Sequence, residues 1–137
     1  RVDESLEAAL EPPAGDPDAG IAAPNTTHLG FVVTTDGRSL YFTGDPINTI
    51  GDLPNVTEPI RALGPEVAFL TTHPTEGEFP YFDGARRLAE EVGVDIAVPS
   101  HYQCFARRTY DPADFAEAFA RSSIAVLTIP WNGSVEI

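Results

Sequence analysis

Asp36-Gly37 separates two runs of β-favouring residues, "HLGFVVTT" before it and "RSLYFTGD" after it. Two such runs joined by two residues that accept positive φ specify a tight β-hairpin, and so fix an antiparallel pair early in the chain. Beyond the hairpin the hydrophobic period changes. After a Pro- and Gly-rich connection and a short helix expected near 58–63, "EVAFLTT" is a near-continuous apolar run, the pattern of a strand buried on both faces. Ala85, Leu88, Ala89 and Val92 then recur at i, i+3, i+4 and i+7, with Asp83 placed to cap a helix and Gly93 to end it. "DIAVP" reads as a short buried strand, and Asp111-Pro112 starts a second helix with Phe115, Ala118 and Phe119 on one stripe. "SIAVLTIP" reads as a further strand, and Asn132-Gly133 as a turn into a last one. The expected order is a β-hairpin followed by β-α-β-α-β, a layered α/β arrangement with helices packed on a sheet.

Composition bounds the size and the partners. A chain of 137 residues with 42% hydrophobic residues is enough for one domain with its own core. Residues 1–27, with "EPPAGDPDAGIAAPNTT", are expected to form a loop or linker ahead of a folded αβ unit at 28–137. The formal charge of −13 leaves no basic face for phosphates, so nucleic acid and anionic membrane surfaces are poor partners and a cation is a better guest for this acidic protein. The lone Cys104 excludes an intrachain disulfide, and without a secretory segment or long apolar run the expected location is cytoplasmic. Because the chain opens on Arg1 and contains no methionine, an excised or processed piece of a longer polypeptide is expected.

In α/β sheets, ligand-bearing residues gather where strands end, because the sheet holds the backbone while the loop beyond it shapes a crevice. Asp45 follows "LYFT" through Gly44, and His101 follows "IAVPS", with Pro99 expected to end that strand. A carboxylate oxygen and an imidazole nitrogen are donors that zinc, manganese and iron accept in hydrolytic sites, and a carboxylate can bridge a pair of ions. Read by themselves, Gly-Asp-Pro is also an ordinary turn, and His101 beside Tyr102 is also an ordinary half-buried histidine. His28 opens the first run and His73 follows "AFLTT", so both are candidates for the same crevice, as is Glu76 in the loop "HPTEGEFPYF". No helical HxxxH, phosphate-cradling glycine loop or Gly-x-Ser-x-Gly turn is present in the sequence, and Cys104 reads as a buried inert thiol.

Taken together, "GFVVTTDGRSLYFTGD", "EVAFLTTH" with "FDGARRLAEEVGVDIAVPSHY", and "SHYQCFARRTYDPADFAEAF" resemble the C-terminal half of a metallo-β-lactamase-fold hydrolase, nearest to its ascorbate-6-phosphate lactonase-like group. The resemblance implies a metallo-β-lactamase-like αββα sandwich, of which this chain would supply the C-terminal half. It implies that Asp45 bridges two divalent ions (zinc, manganese or iron), that His101 completes one site, and that His28 is the one candidate for the histidine ahead of the hairpin. By the same resemblance His73-Pro74 falls where relatives place substrate-side loop residues, and the loop that follows is expected to line the crevice with Glu76 or Tyr81. The implied activity is metal-dependent hydrolysis of an ester, lactone or phosphoester through a metal-bound hydroxide, on a small anionic or lactone-type substrate. The family's His-x-His-x-Asp-His signature belongs to its N-terminal half and is absent from this sequence, while Pro46 stands where threonine is usual and Gln103 where many relatives have aspartate.

Half of a two-sheet architecture would expose the apolar inner face of its sheet, so the chain is expected to need the missing N-terminal half, with oligomerisation left open. The competing expectation is a degenerate half-fold that serves binding or assembly and performs no catalysis.

Overall fold

The computed structural model describes residues 29–72, 81–103 and 109–137. The expected linker at 1–27 and the candidates His28, His73 and Glu76 lie outside the described residues. β1 (Phe31–Thr35) and β2 (Arg38–Phe42) form the hairpin, and both residues of its turn have positive φ, 49° at Asp36 and 79° at Gly37. This is the pattern of the primed turn whose twist matches paired strands. β3 (Val67–Thr71), β4 (Ile96–Ser100) and β5 (Ala125–Val126) then add in parallel, giving a five-stranded sheet in the order β1-β2-β3-β4-β5.

Helices make the crossovers. A 3₁₀ turn (Ile50–Asp52) and α1 (Pro54–Ala62) join β2 to β3, α2 (Phe82–Val92) joins β3 to β4, and α3 (Pro112–Ala118) joins β4 to β5. The stripe expected on α2 is the buried one, since Ala85, Leu88, Ala89 and Val92 are all removed from solvent, and Gly93 ends the helix in the left-handed region at φ 82°. Asp111 caps α3 by accepting from Ala113 N at 2.9 Å, with Pro112 at the first helical position.

Cross-strand register sorts the sheet into two faces. Val32, Tyr41, Ala68, Ala97 and Val126 pair in one row; Tyr41, Ala68 and Ala97 belong to the core cluster that contains the α2 stripe, Phe115 and Phe119, and the partly buried Val32 and Val126 pack against it. On the opposite face run the rows Phe31-Phe42-Phe69-Val98 and Val33-Leu40-Val67-Ile96-Ala125. Phe42 and Phe69 stack there with ring centroids 4.6 Å apart. Phe31, Val33 and Phe42 are 58%, 45% and 36% exposed. Val67 and Val98, although buried, stand outside the helix-side cluster.

Several boundaries differ from expectation. β2 stops at Phe42 and does not reach Asp45, because Gly44 turns the backbone to φ 64°. Pro99 lies inside β4 opposite Leu70, and the strand continues to Ser100. α1 begins earlier than 58, at Pro54, with the second Pro59 inside it. Tyr81 rather than Asp83 occupies the position before α2, and Asp83 falls in the first turn, where a negative charge suits the helix dipole. The strand expected from "SIAVLTIP" is paired at Ala125–Val126 alone, and no strand forms beyond Asn132, whose turn leads into residues without ladder partners among the described ones.

Candidate functional site

Asp45 and His101 leave the carboxyl ends of β2 and β4, the two strands that flank β3. The parallel register carries both chains to the same edge of the sheet, and His101 Nδ1 comes to 3.5 Å from Asp45 Oδ1. Nδ1 is shielded from solvent, whereas the Asp45 and His101 side chains as wholes are 51% and 35% exposed. A carboxylate half in water beside an imidazole is a place where a cation can be held without the full cost of burying a charge.

The loop that presents Asp45 is fastened at several points. Thr43 is buried, and its Oγ1 accepts from Thr71 N at 3.1 Å while standing 3.2 Å from Phe69 O. This hydroxyl ties the end of β2 to the end of β3. At Gly44 a Cβ would meet Leu29 O at 2.4 Å, so both its φ and the space around it demand glycine. Pro46 is fully buried, and Asn48 Oδ1 accepts from Tyr81 N at 2.9 Å, satisfying an amide at the entrance of α2. Gly84 allows this approach, since a Cβ there would lie 2.0 Å from Asn48 Oδ1. Asp45 therefore sits between two anchors, Thr43 behind it and Asn48 ahead.

His101 is fixed differently. Its φ of 67° is left-handed, a conformation that costs a non-glycine residue roughly 1–2 kcal/mol and is retained only where neighbours enforce it. Those neighbours are visible: Thr71 Oγ1 and Ser100 Oγ lie 3.3 Å apart, Thr72 N donates to Ser100 O at 3.3 Å, and Tyr110 N donates to Tyr102 O at 3.2 Å. Thr72 and Tyr110 also share a buried hydroxyl–hydroxyl hydrogen bond. The αL turn at His101 swings the imidazole out of the strand's alternation and toward Asp45.

The donor set fits part of a metal site. One carboxylate and one imidazole are suitable ligands for zinc, manganese or iron, yet among the described residues no three His, Cys, Asp or Glu side chains gather in a metal-holding group. Sequence reading singled out Asp45 and His101 but missed Thr43, Asn48 and Trp131, whose indole donates to Gln103 Oε1 beside His101. A glycine in the first turn of α2 is the sequence sign of a close approach there; nothing local marks the other two.

No family model matches the chain. It is 32% identical over 106 residues to a UPF0173 metal-dependent hydrolase of Methanospirillum hungatei, covering 74% of this chain and 43% of that protein. A UPF0173 metal-dependent hydrolase of Alkaliphilus metalliredigens is 28% identical over 101 residues, covering 73% and 42%. The chain thus spans less than half the length of these curated relatives. Among solved structures, a metallo hydrolase from Ignicoccus hospitalis superposes with a TM-score of 0.55 at 19% identity, over 79% of this chain and 46% of that one. A Thermotoga maritima protein assigned to the Zn-dependent hydrolases of the metallo-β-lactamase superfamily gives 0.56 at 16%, over 72% and 56%. At such identity these structures speak to architecture, and the architecture is a metallo-β-lactamase-like α/β fold, matched over part of each neighbour.

Proposed function

We propose that this chain supplies one side of a metal-dependent hydrolytic site, with Asp45 and His101 as donors. The observation that carries the reading is their approach to 3.5 Å at the carboxyl edge of a metallo-β-lactamase-like sheet. The relatives are called metal-dependent hydrolases, which agrees with a divalent ion as cofactor. When bound, such an ion lowers the pKa of water toward neutrality and polarises the oxygen of the bond to be broken. Asp45 contributes the negative charge that holds the cation, and Gly44 and Asn48 keep that carboxylate in place. His101 contributes a nitrogen, and Asp45 beside Nδ1 sets the ring's orientation, as carboxylates do for ligating histidines. The substrate class is an ester, lactone or phosphoester, and Asp45, with two carboxylate oxygens, would serve a pair of divalent ions, His101 completing one of the two sites. His28, as a third donor, and His73 and Glu76, as substrate-side residues, complete this reading.

The remaining donors come from a further layer of the fold, an N-terminal half that would also cover the exposed Phe31, Val33 and Phe42. Two features support it: the apolar face at the hairpin and the chain's short span of its relatives. A second reading, a half-fold that binds or assembles without catalysis, is favoured by the lack of a three-donor group among the described residues.

Metal content separates the two. Protein purified without chelators should carry transition metal in near-stoichiometric amount, and Asp45→Asn should reduce it at least about tenfold. Metal-free wild type, with an intact mass equal to this chain alone, would remove the hydrolase reading in favour of the second.

A further inference from the structure

Beside His101 the last turn of the chain builds a wall that the metal donors do not need. Leu127 N donates to Ala97 O at 2.9 Å, carrying the chain past β5 alongside β4. It then turns at 130–133, closed by Gly133 N donating to Pro130 O at 2.9 Å, with Asn132 at φ 54°. Positive φ at the third position alone is the type II pattern, and asparagine is one of the few side chains that tolerate it. The turn lifts Trp131 to 76% exposure, although it is the largest apolar side chain available and the chain's sole tryptophan.

Two contacts lock this wall to the loop that carries the histidine. Trp131 Nε1 donates to Gln103 Oε1, and Tyr102 Oη lies 3.5 Å from Ile129 O. Between the two loops opens a cleft of about 330 Å³, lined by His101, Gln103, Ile129, Pro130, Trp131 and Asn132 among others. That volume is at the lower end of the range for small-molecule sites. Apart from His101, the lining groups are neutral side chains. Among the described residues the Ile129, Pro130 and Trp131 side is uncharged, and a flat apolar ligand group gains stacking area on an indole already held by its hydrogen bond.

We propose that Trp131, oriented by Gln103, forms a subsite for a planar, uncharged aryl group of the substrate, so that an aryl-bearing neutral ester would place its scissile bond toward His101 and Asp45. The subsite as a substrate determinant rests on the hydrolytic reading above; its binding chemistry is separable from it. Trp131 selects by stacking, Gln103 positions the indole, and neither supplies a metal donor.

The single tryptophan makes the test direct. The full chain is titrated with acetanilide, a neutral aryl amide that is not readily hydrolysed, and with N-cyclohexylacetamide, while Trp131 emission is followed. A saturable change is expected, with acetanilide bound about fivefold more tightly, in line with the known size of aromatic pairing. Gln103→Leu should weaken acetanilide about threefold, losing the bond that holds the ring. Trp131→Phe should retain binding in ligand-observed NMR and Trp131→Ala should lose it, with circular dichroism unchanged in both. Linear, unsaturable quenching, equal affinity for the two amides, or undiminished binding by Trp131→Ala would overturn the proposal. Because none of these readouts needs metal or turnover, a saturable aryl preference in a chain that retains no metal would sink the hydrolytic reading and leave the subsite. Loss of the aryl preference in a metal-loaded chain would do the reverse.

Discussion

The two faces of the sheet carry similar side chains and meet different fates. On one, Tyr41, Ala68 and Ala97 are sealed beneath Leu88, Ala89 and Val92 of α2. On the other, Phe31, Phe42 and Phe69 pair across strands, yet Phe31 is more than half exposed. Register forces this contrast, since alternate residues of each strand must point opposite ways and helices are described on one side only. Burial against helices therefore holds the described fold together, while the hairpin's other face leaves Phe31, Val33 and Phe42 exposed among the described residues. Asp45 and His101 sit at the sheet edge common to both faces.

Mutations on the two sides should accordingly behave oppositely. Leu88→Ala removes a side chain buried against the sheet and should cost about 2–5 kcal/mol in denaturant unfolding. Phe31→Ser, on the open face, should change stability by less than about 1 kcal/mol while lowering self-association in sedimentation velocity. Equal costs at the two positions would show that the contrast between the faces is false.

Gly44→Ala probes the junction with the site. It must accept a left-handed backbone and a 2.4 Å approach to Leu29 O, so a loss of about 2 kcal/mol is expected, with displaced amide resonances at Asp45 and Thr43. His101→Asn keeps a residue that tolerates positive φ and should leave the unfolding free energy nearly unchanged, within about 0.5 kcal/mol, while abolishing metal retention. A large loss of stability would mean that His101 serves the fold more than the site.

The smallest effect concerns Tyr41, at the centre of the covered face. Burial raises its phenol pKa above the ordinary value, so the native state prefers the protonated form. Its contribution to stability is complete below about pH 10 and declines as pH rises through the raised pKa. Tyr41→Phe should flatten that alkaline decline in a series of thermal unfolding curves; an unaltered slope would assign the decline to other groups.

Much of the covered face was legible because its signals are local. Asp36-Gly37, the spacing of Ala85, Leu88, Ala89 and Val92, the Gly93 stop and the Asp111-Pro112 cap each act within one turn or one helix, and each forms as read. Asp45 and His101 were legible as strand-end residues, but their approach depends on β3 lying between their strands, a long-range fact. Thr43 bonding across to Thr71 and Asn48 reaching Tyr81 join residues about thirty apart in sequence. A hydroxyl or an amide carries no local sign of such a partner. The left-handed turn at His101 was equally hidden, because histidine in that region is a consequence of the Thr71, Thr72, Ser100 and Tyr110 contacts around it. The last strand failed for the opposite reason: "SVEI" has strand propensity, but propensity forms no ladder without a neighbour to pair with.

The proposed site stands or falls on Asp45 and His101 holding one cation together. Long-range ¹H–¹⁵N correlation can follow the imidazole nitrogens of His101 during a Zn²⁺ titration of the labelled chain, with Asp45→Asn alongside. Shared coordination predicts a saturable shift of a His101 ring nitrogen and an affinity at least about tenfold weaker in Asp45→Asn. A His101 spectrum indifferent to zinc, or the same affinity with Asp45 replaced, would contradict it.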